Sequence, residues 1–352
     1  IPLVDMEHKF SPSVDRPLTM LKYCPAYETT PILEIKSAGS FRILVKDETE
    51  RMGLGSFKAL GGIYAVAQFL IQKWFEEKKS RLSPEQLTDK SIETWTSAVT
   101  FVCASAGNHG IAVAKGAQLF SAKCRVHLSQ SVPKDFEHRL VSLGAEIVKS
   151  GTTYEESVGI AKQDAIKSSS VLLSDSSWPG YLHLPALIME GYTVMAEEMR
   201  AEFAKNGNWP THVFLQAGVG GIAAALTFEI RDKWAQQPKV IVVEPAAAPC
   251  LHASVQRGKI TTVTGPVSVM GRLDCKQPSL IAFNVLKELA DKFVVISEDD
   301  AEQAKDYFRE QNLETTTSGA AGLAAVLKHE ELDITLSASD KVLVIATEGS
   351  FT

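Results

Sequence analysis

Short β-branched runs alternate with helical segments along almost the whole chain, and that alternation leaves few folds open. The runs RILVK (42–46), VTFVC (99–103), RVHL (125–128), EIVKS (146–150), SVLLS (170–174), THVFLQ (211–216), KVIVVE (239–244), KFVVIS (292–297) and KVLVIAT (341–347) read as buried strands. Helical periodicity fills 57–78, 107–119, 133–143, 154–168, 183–204, 221–235, 298–311 and 318–330. Ser297, followed by Glu298, Asp299 and Asp300, gives one of these helices a cap and an acidic first turn. Strands that feed helices in this way build parallel sheets covered on both faces, an α/β fold.

The spacing predicts two bodies. Between about 98 and 178 the units are short and regular, which suggests a small mobile domain of four strands. Residues 1–97 and 179–352 then supply a larger domain assembled from both ends of the chain. Segment 79–96 is polar and irregular and reads as an exposed loop. With 352 residues, 45% of them hydrophobic, the chain can bury a sizeable core. Its net charge of −6 weighs against nucleic acid or an anionic membrane as partner. No apolar run is long enough to span a bilayer, and no leader pattern opens the sequence. Cys24, Cys103, Cys124, Cys250 and Cys275 are scattered, with no C-x-x-C, so reduced thiols and a cytoplasmic location are expected. The eight histidines show no metal-ligand spacing, so no metal is expected. The sequence stops soon after Gly349, so no regulatory tail domain is expected.

Four loops at strand-to-helix junctions could share one site, because open α/β sheets bind ligands beyond the carboxyl ends of their strands. GLGSFKALGGIYA (53–65) sets Lys58 among Phe57, Ala59 and Leu60. Apolar surroundings lower a lysine's pKa and make its amine a nucleophile, as an aldehyde cofactor needs; the plainer reading is a surface lysine. CASAGNHGIAVA (103–114) can offer backbone N–H groups and one amide to an anion, or simply cap a helix. QAGVGGIAAAL (216–226) has the glycines to wrap a phosphate at a helix N-terminus. It also fits G-x-G-x-x-A through Gly218, Gly220 and Ala223, with Glu244 at the end of the next strand as a ribose-binding acid, so a dinucleotide-dependent oxidoreductase is an alternative. IATEGSFT (345–352) ends the last strand and aims Thr347 at the site, or merely caps the strand.

The order GSFK, SAGNHG, AGVGG, TEG resembles the fold-type II pyridoxal-phosphate enzymes, the tryptophan synthase β-like group, from about residue 30 onward. KDETERMGLGSFKALGGIYA, the stretch DSSWPGY to IMEGYTVMAEEM, and VMGRLDCKQPS are most similar to the diaminopropionate ammonia-lyases. The resemblance implies two open, mostly parallel sheets covered by helices, a bound pyridoxal 5′-phosphate and a homodimer. It implies α,β-elimination of a small amino acid to a 2-oxo acid and ammonia; a serine/threonine-type dehydratase or another β-eliminating lyase is the alternative. Lys58 would be the Schiff-base lysine and the base at Cα, and Phe57 would pack on the cofactor ring. Asn108 would bond the ring's oxygen, and Gly218, Val219, Gly220 and Gly221 would cradle the phosphate. Thr347 would face the ring nitrogen as a neutral partner, favouring loss of a β-substituent over transamination. Ser105, Ala106, Gly107 and His109 would receive the substrate carboxylate, and Asp175 would face its amino group. Relatives that process both enantiomers carry an acid or a hydroxyl at the Ala106 position; alanine moves no proton, so only one enantiomer, L, is expected to react.

Overall fold

The computed structural model describes residues 3–5, 9–37, 39–105, 107–130, 132, 134–152 and 154–350. Its strands are β1 (Ile32–Ile35), β2 (Arg42–Asp47), β3 (Thr100–Ala104), β4 (Lys123–Leu128), β5 (Glu146–Lys149), β6 (Val171–Leu172), β7 (His212–Gln216), β8 (Lys239–Pro245), β9 (Lys292–Ile296) and β10 (Lys341–Ala346). Its helices are α1 (Asp15–Leu21), α2 (Lys58–Lys78), α3 (Lys90–Thr96), α4 (Asn108–Leu119), α5 (Lys134–Ser142), α6 (Tyr154–Lys167), α7 (His183–Asn206), α8 (Gly221–Lys233), α9 (Cys250–Arg257), α10 (Leu280–Leu289), α11 (Glu298–Glu310) and α12 (Thr317–Leu327). The strands form a six-stranded sheet ordered β1-β2-β10-β7-β8-β9 and a four-stranded sheet ordered β5-β4-β3-β6. Every pairing is parallel except that of β1 with β2 at the edge.

The larger sheet is buried on both faces, which is why its strands are continuous apolar runs. Alternate residues go to opposite sides. Ile43, Val45, Phe214, Ile241, Val243, Val342 and Val344 pack with α11 and α12, whereas Leu44, Val213, Leu215, Val240, Val242, Leu343 and Ile345 face the core with α2, α7 and α8. Helix α2 is gripped closely. A Cβ at Gly61 would lie 2.5 Å from the Ile188 carbonyl, one at Gly191 2.6 Å from that of Leu60, and one at Gly62 2.5 Å from the Ala112 methyl. Glycine at these crossings lets α2 sit against both α7 and α4, which fixes the helix that begins at Lys58. The Ser297 cap is present as a reciprocal capping box with Asp300.

One expectation is corrected. Segment 79–96 is not a loop: it holds a short 3₁₀ turn (Glu85–Thr88) and α3, and it buries Leu82, Leu87, Ile92 and Thr96. Trp95 also packs edge-on to Trp74 of α2 and donates its indole N–H to Glu77 at 2.7 Å. Its apolar residues are too sparse to show a period, yet each one is used. The structure adds strand β1 and helices α1, α9 and α10 to the elements read from the sequence.

A buried charge cluster underlies the turn that leads to Lys58. Arg51 is fully buried and reaches Glu48 at 2.6 and 2.7 Å and Glu198 of α7 at 2.7 and 2.8 Å. Lys46 of β2 joins Glu198 at 2.7 Å and the Thr30 carbonyl at 2.6 Å, and Tyr27 donates to Glu198 at 2.9 Å. Burial pushes the Glu198 carboxyl up, but the hydrogen bonds and charge of Arg51 outweigh it and hold the carboxyl below its ordinary value. That contribution is present above the ordinary carboxylate range and is lost as pH falls through the depressed value. Replacing one partner strands the other charges inside the protein, so Arg51→Met is expected to lose about 3–5 kcal/mol of unfolding free energy in urea titrations. A midpoint equal to that of the wild type would show that the cluster is not what fixes this turn.

Candidate active site

The chain's two ends meet at the site. Ser56 bridges Glu348 in an antiparallel contact, the Phe57 amide donates to the Thr347 carbonyl at 3.2 Å, and the Gly349 amide donates to Gly55 at 3.0 Å. The GSFK turn is thereby stitched to the TEG end of β10. The half-buried Lys58 Nζ bonds Asp175 Oδ2 at 2.6 Å and lies 5.2 Å from the Phe57 ring centre and 5.7 Å from that of Tyr192. Burial alone lowers the Lys58 pKa, as its apolar neighbours suggest. The Asp175 carboxylate outweighs burial, so the amine is held protonated above the ordinary lysine value. This corrects the expected depression: the sequence around Lys58 shows the apolar neighbours but not a carboxylate brought in from another segment. Asp175 in turn sits well below the usual carboxylate range, with burial opposing and the Lys58 charge prevailing.

Asp175 is held by a loop clasped at both ends. Tyr181 Oη accepts from the Ser174 amide at 3.0 Å and donates to Leu172 at 2.8 Å. Ser177 is bound to Ser279 through its amide at 3.0 Å and its hydroxyl at 2.6 Å. The glycine loop lies alongside. Gly220 caps α8 at φ +96°, and a Cβ there would lie 2.9 Å from Leu251. A Cβ at Gly218 would lie 3.1 Å from both the Arg272 carbonyl and Cys275 Sγ. Val219 accepts from the Ser279 amide at 2.9 Å. Gly221 faces the site: a Cβ there would come within 3.8 Å of the Tyr192 ring and 4.0 Å of the Asp175 carbonyl.

The SAGNHG loop supplies the third wall. Ser105 Oγ accepts from the Gly107 amide at 3.3 Å, and α4 begins at Asn108. Asn108 Nδ2 donates to Glu348 Oε2, and its buried Oδ1 has no partner. His109 Nε2 meets the Leu173 carbonyl at 2.9 Å, so that nitrogen carries the proton and the buried Nδ1 is left as an unpartnered lone pair. Burial holds the His109 pKa below its ordinary value. Ala106 lies outside the described residues. Thr347 is buried, and its hydroxyl accepts a 3.3 Å bond from Gln216 Nε2.

Among the described residues the four loops lie together, but Glu244 stands apart. Glu244 does not point at the glycine loop. Both its oxygens accept N–H groups, from Leu251 and His252 at 2.7 Å each, and it caps α9. Fully buried, its carboxyl is pushed up to about 7. No ribose-binding acid is therefore available, and the dinucleotide alternative fails. Four further residues border the site without having been singled out by motif: Tyr192, whose buried hydroxyl has no hydrogen-bond partner, Gln216, Arg272 and Glu348. Glu348 stands in the TEG motif, Gln216 opens the glycine loop, and Tyr192 and Arg272 lie in the two stretches that carry the family resemblance, so each could have been suspected.

Residues 23–348 match the family model for the pyridoxal-phosphate dependent enzymes. The chain belongs to that family. Diaminopropionate ammonia-lyase of Escherichia coli (strain K12) is 32% identical over 92% of this chain and 85% of its own length. The crystal structure of the selenomethionine-labelled holo form of the E. coli enzyme superposes with a TM-score of 0.84 at 28% identity, over 96% of this chain and 88% of that one. A second structure of that enzyme, in complex with D-serine, gives 0.84 at 29% identity with the same coverage. This chain is accordingly a fold-type II pyridoxal-phosphate enzyme of the lyase class. The site fits the cofactor on its own geometry: a lysine at the start of a buried helix, a glycine-rich loop at the N-terminus of α8, and unpartnered buried polar atoms on Asn108, His109 and Tyr192.

Because Asp175 is what raises Lys58, Asp175→Asn should leave burial to decide, and the Lys58 pKa should drop by roughly one to three units. The pH dependence of Lys58 acetylation in cofactor-free protein, followed by mass spectrometry, measures it. An unchanged half-point would mean that Asp175 does not hold the proton.

Proposed function

We propose that the chain eliminates the β-substituent of a small amino acid, 2,3-diaminopropionate or a close analogue, and releases a 2-oxo acid and ammonia. The observation that carries this reading is the Lys58–Asp175 pair, set beside Phe57 and Tyr192 where the glycine loop, the SAGNHG loop and the TEG strand end meet. Bound pyridoxal phosphate supplies the electron sink for the charge that develops at Cα. Everything else falls to the chain. Gly218, Val219, Gly220 and Gly221 would offer backbone N–H groups at the start of α8 to the phosphate, where the helix dipole favours an anion. Phe57 would cover one face of the ring, and Asn108 would bond its oxygen. Thr347 would face the ring nitrogen with a neutral hydroxyl, so no fixed negative charge stands there. Ser105, Ala106, Gly107 and His109 would receive the substrate carboxylate.

Proton handling would rest on Lys58. Its neutral amine takes the proton from Cα, and the resulting ammonium can return a proton to the departing β-amine, which then leaves as ammonia. Asp175 would face the substrate's amino group and keep Lys58 charged between turnovers. The family likeness supports a homodimer and a cytoplasmic setting. The separate four-stranded sheet supports a small domain, 98–178, that moves over the site made with residues 1–97 and 179–352.

The purified protein is expected to be yellow, to bleach with borohydride, and to lose the visible band in Lys58→Ala. Release of 2-oxo acid and ammonia should be measured on L- and D-2,3-diaminopropionate, L- and D-serine, and L-threonine. Turnover of L- but not D-diaminopropionate is expected, from alanine at position 106. Equal rates on both enantiomers would place a second base that the motif does not show. Reaction of the hydroxy amino acids alone would move the leaving group from amine to hydroxyl.

A further inference from the structure

Tyr192 of α7 carries a buried hydroxyl to which the elimination reading gives no role. Its ring is held from three sides. Phe57 meets it edge-on, with ring centres 4.9 Å apart. A Cβ on Gly61 of α2 would collide with Cε1, and a Cβ on Gly221, the first residue of α8, would lie 3.8 Å from Cε2. The carbon that bears the hydroxyl is bonded to both of these ring atoms. The hydroxyl therefore emerges between the first turn of α2 and the first residue of α8. The residue is 1% exposed, so the ring is packed in that orientation.

A tyrosine hydroxyl has one proton to donate and lone pairs to accept. The Lys58 Nζ lies 5.7 Å from the ring centre; held as an ammonium, it serves only the lone pairs. Asp175 Oδ2 is bonded to that same ammonium at 2.6 Å. Among the described residues the hydroxyl has no hydrogen-bond partner. It keeps its proton: burial pushes it up to about 12, with the Lys58 charge opposing, so it stays a donor at neutral pH. A buried donor without an acceptor costs free energy that a ligand oxygen would return. The Lys58 ammonium and the start of α8 offer protons toward the same place, and no side chain caps α8, so its first N–H groups are open. A ligand group met by several donors at a helix N-terminus is an anion.

We propose that the Tyr192 hydroxyl is a ligand of the cofactor phosphate, donating to one of its oxygens beside the N–H groups that open α8. This rests on the glycine-loop reading above and adds a side chain to a cradle otherwise made of backbone. The phosphate is the part of the cofactor that Lys58 does not hold. A bond from Tyr192 keeps the cofactor seated while the Lys58 amine is free to move protons.

The test is a titration of cofactor-free protein with pyridoxal 5′-phosphate and with pyridoxal, followed by absorbance, in wild type and in Tyr192→Phe. Phenylalanine keeps the ring and removes only the oxygen. The dissociation constant for pyridoxal 5′-phosphate should rise roughly ten- to a hundredfold in Tyr192→Phe, as for a hydrogen bond to a charged acceptor, while that for pyridoxal stays unchanged. Equal losses on both compounds would overturn the proposal, because the hydroxyl would then serve the ring or Lys58. No loss on either would overturn it while leaving the glycine loop as the phosphate site. If wild type holds the two compounds alike, the glycine-loop reading itself fails and the proposal falls with it. Thermal melting of the cofactor-free protein is a second readout. Tyr192→Phe should melt no lower than wild type, since it removes an unpartnered buried hydroxyl. A lower melting temperature would show that the hydroxyl already has a partner within the chain, and would also overturn the proposal.

Discussion

The site depends on four charges that never meet water. Lys46, Arg51, Glu48 and Glu198 join the end of β2, the turn that follows it and the middle of α7. Charges this deep are tolerated because each is hydrogen-bonded as well as paired, with Thr30 and Tyr27 taking positions that the pairs leave over. Hydrophobic residues of the same volume could be as stable, but they would not fix a direction. A bidentate arginine does. Arg51 bonds Glu48 three residues back and Glu198 on α7, so the chain must leave β2 at one angle and enter α2 at another. Lys58 is the first residue of α2, and its position follows from that turn.

The same logic explains how much was legible beforehand. The larger sheet shows in the sequence because strands buried on both faces are unbroken apolar runs, and the long helices show because one face of each is apolar. Lys58, Asn108, Gly220 and Thr347 are readable because each sits where a strand ends and a helix begins, or at the last strand's end. What escaped has no local period. Segment 79–96 places only Leu82, Leu87, Ile92 and Thr96 in the core among polar neighbours. Glu244 fits a fingerprint by its position after a strand, yet its side chain turns to α9 because two amides there need an acceptor. Within KDETER, Lys46, Glu48 and Arg51 are fully buried whereas Glu50 is exposed, a distinction that no local pattern shows. Sequence distance hides them: Glu198 lies 147 residues from Arg51.

Lys58 shows why neighbours in sequence are a poor guide to a titrating group. Phe57, Ala59 and Leu60 argue for a neutral amine, and burial does push that way. Asp175 arrives 117 residues later, on a loop that Tyr181 and the Ser177–Ser279 pair hold in place, and reverses the sign. A lysine kept charged is a poor nucleophile but a good proton donor. Asp175 therefore stabilises the proton on Lys58, and on the proposed reading it would turn to an incoming ammonium group once that amine is engaged.

The same pairings set the electrostatic balance of the site. The start of α8 favours an anion, and Arg272, whose backbone lies against Gly218, brings its guanidinium over Phe136 beside Gly107. Against them stand Asp175, pledged to Lys58, and Glu348, buried and already hydrogen-bonded. Both carboxylates are therefore engaged within the chain before any ligand enters, one by the Lys58 amine and the other by the hydrogen bonds that hold the starts of α4 and α12 against the end of β10.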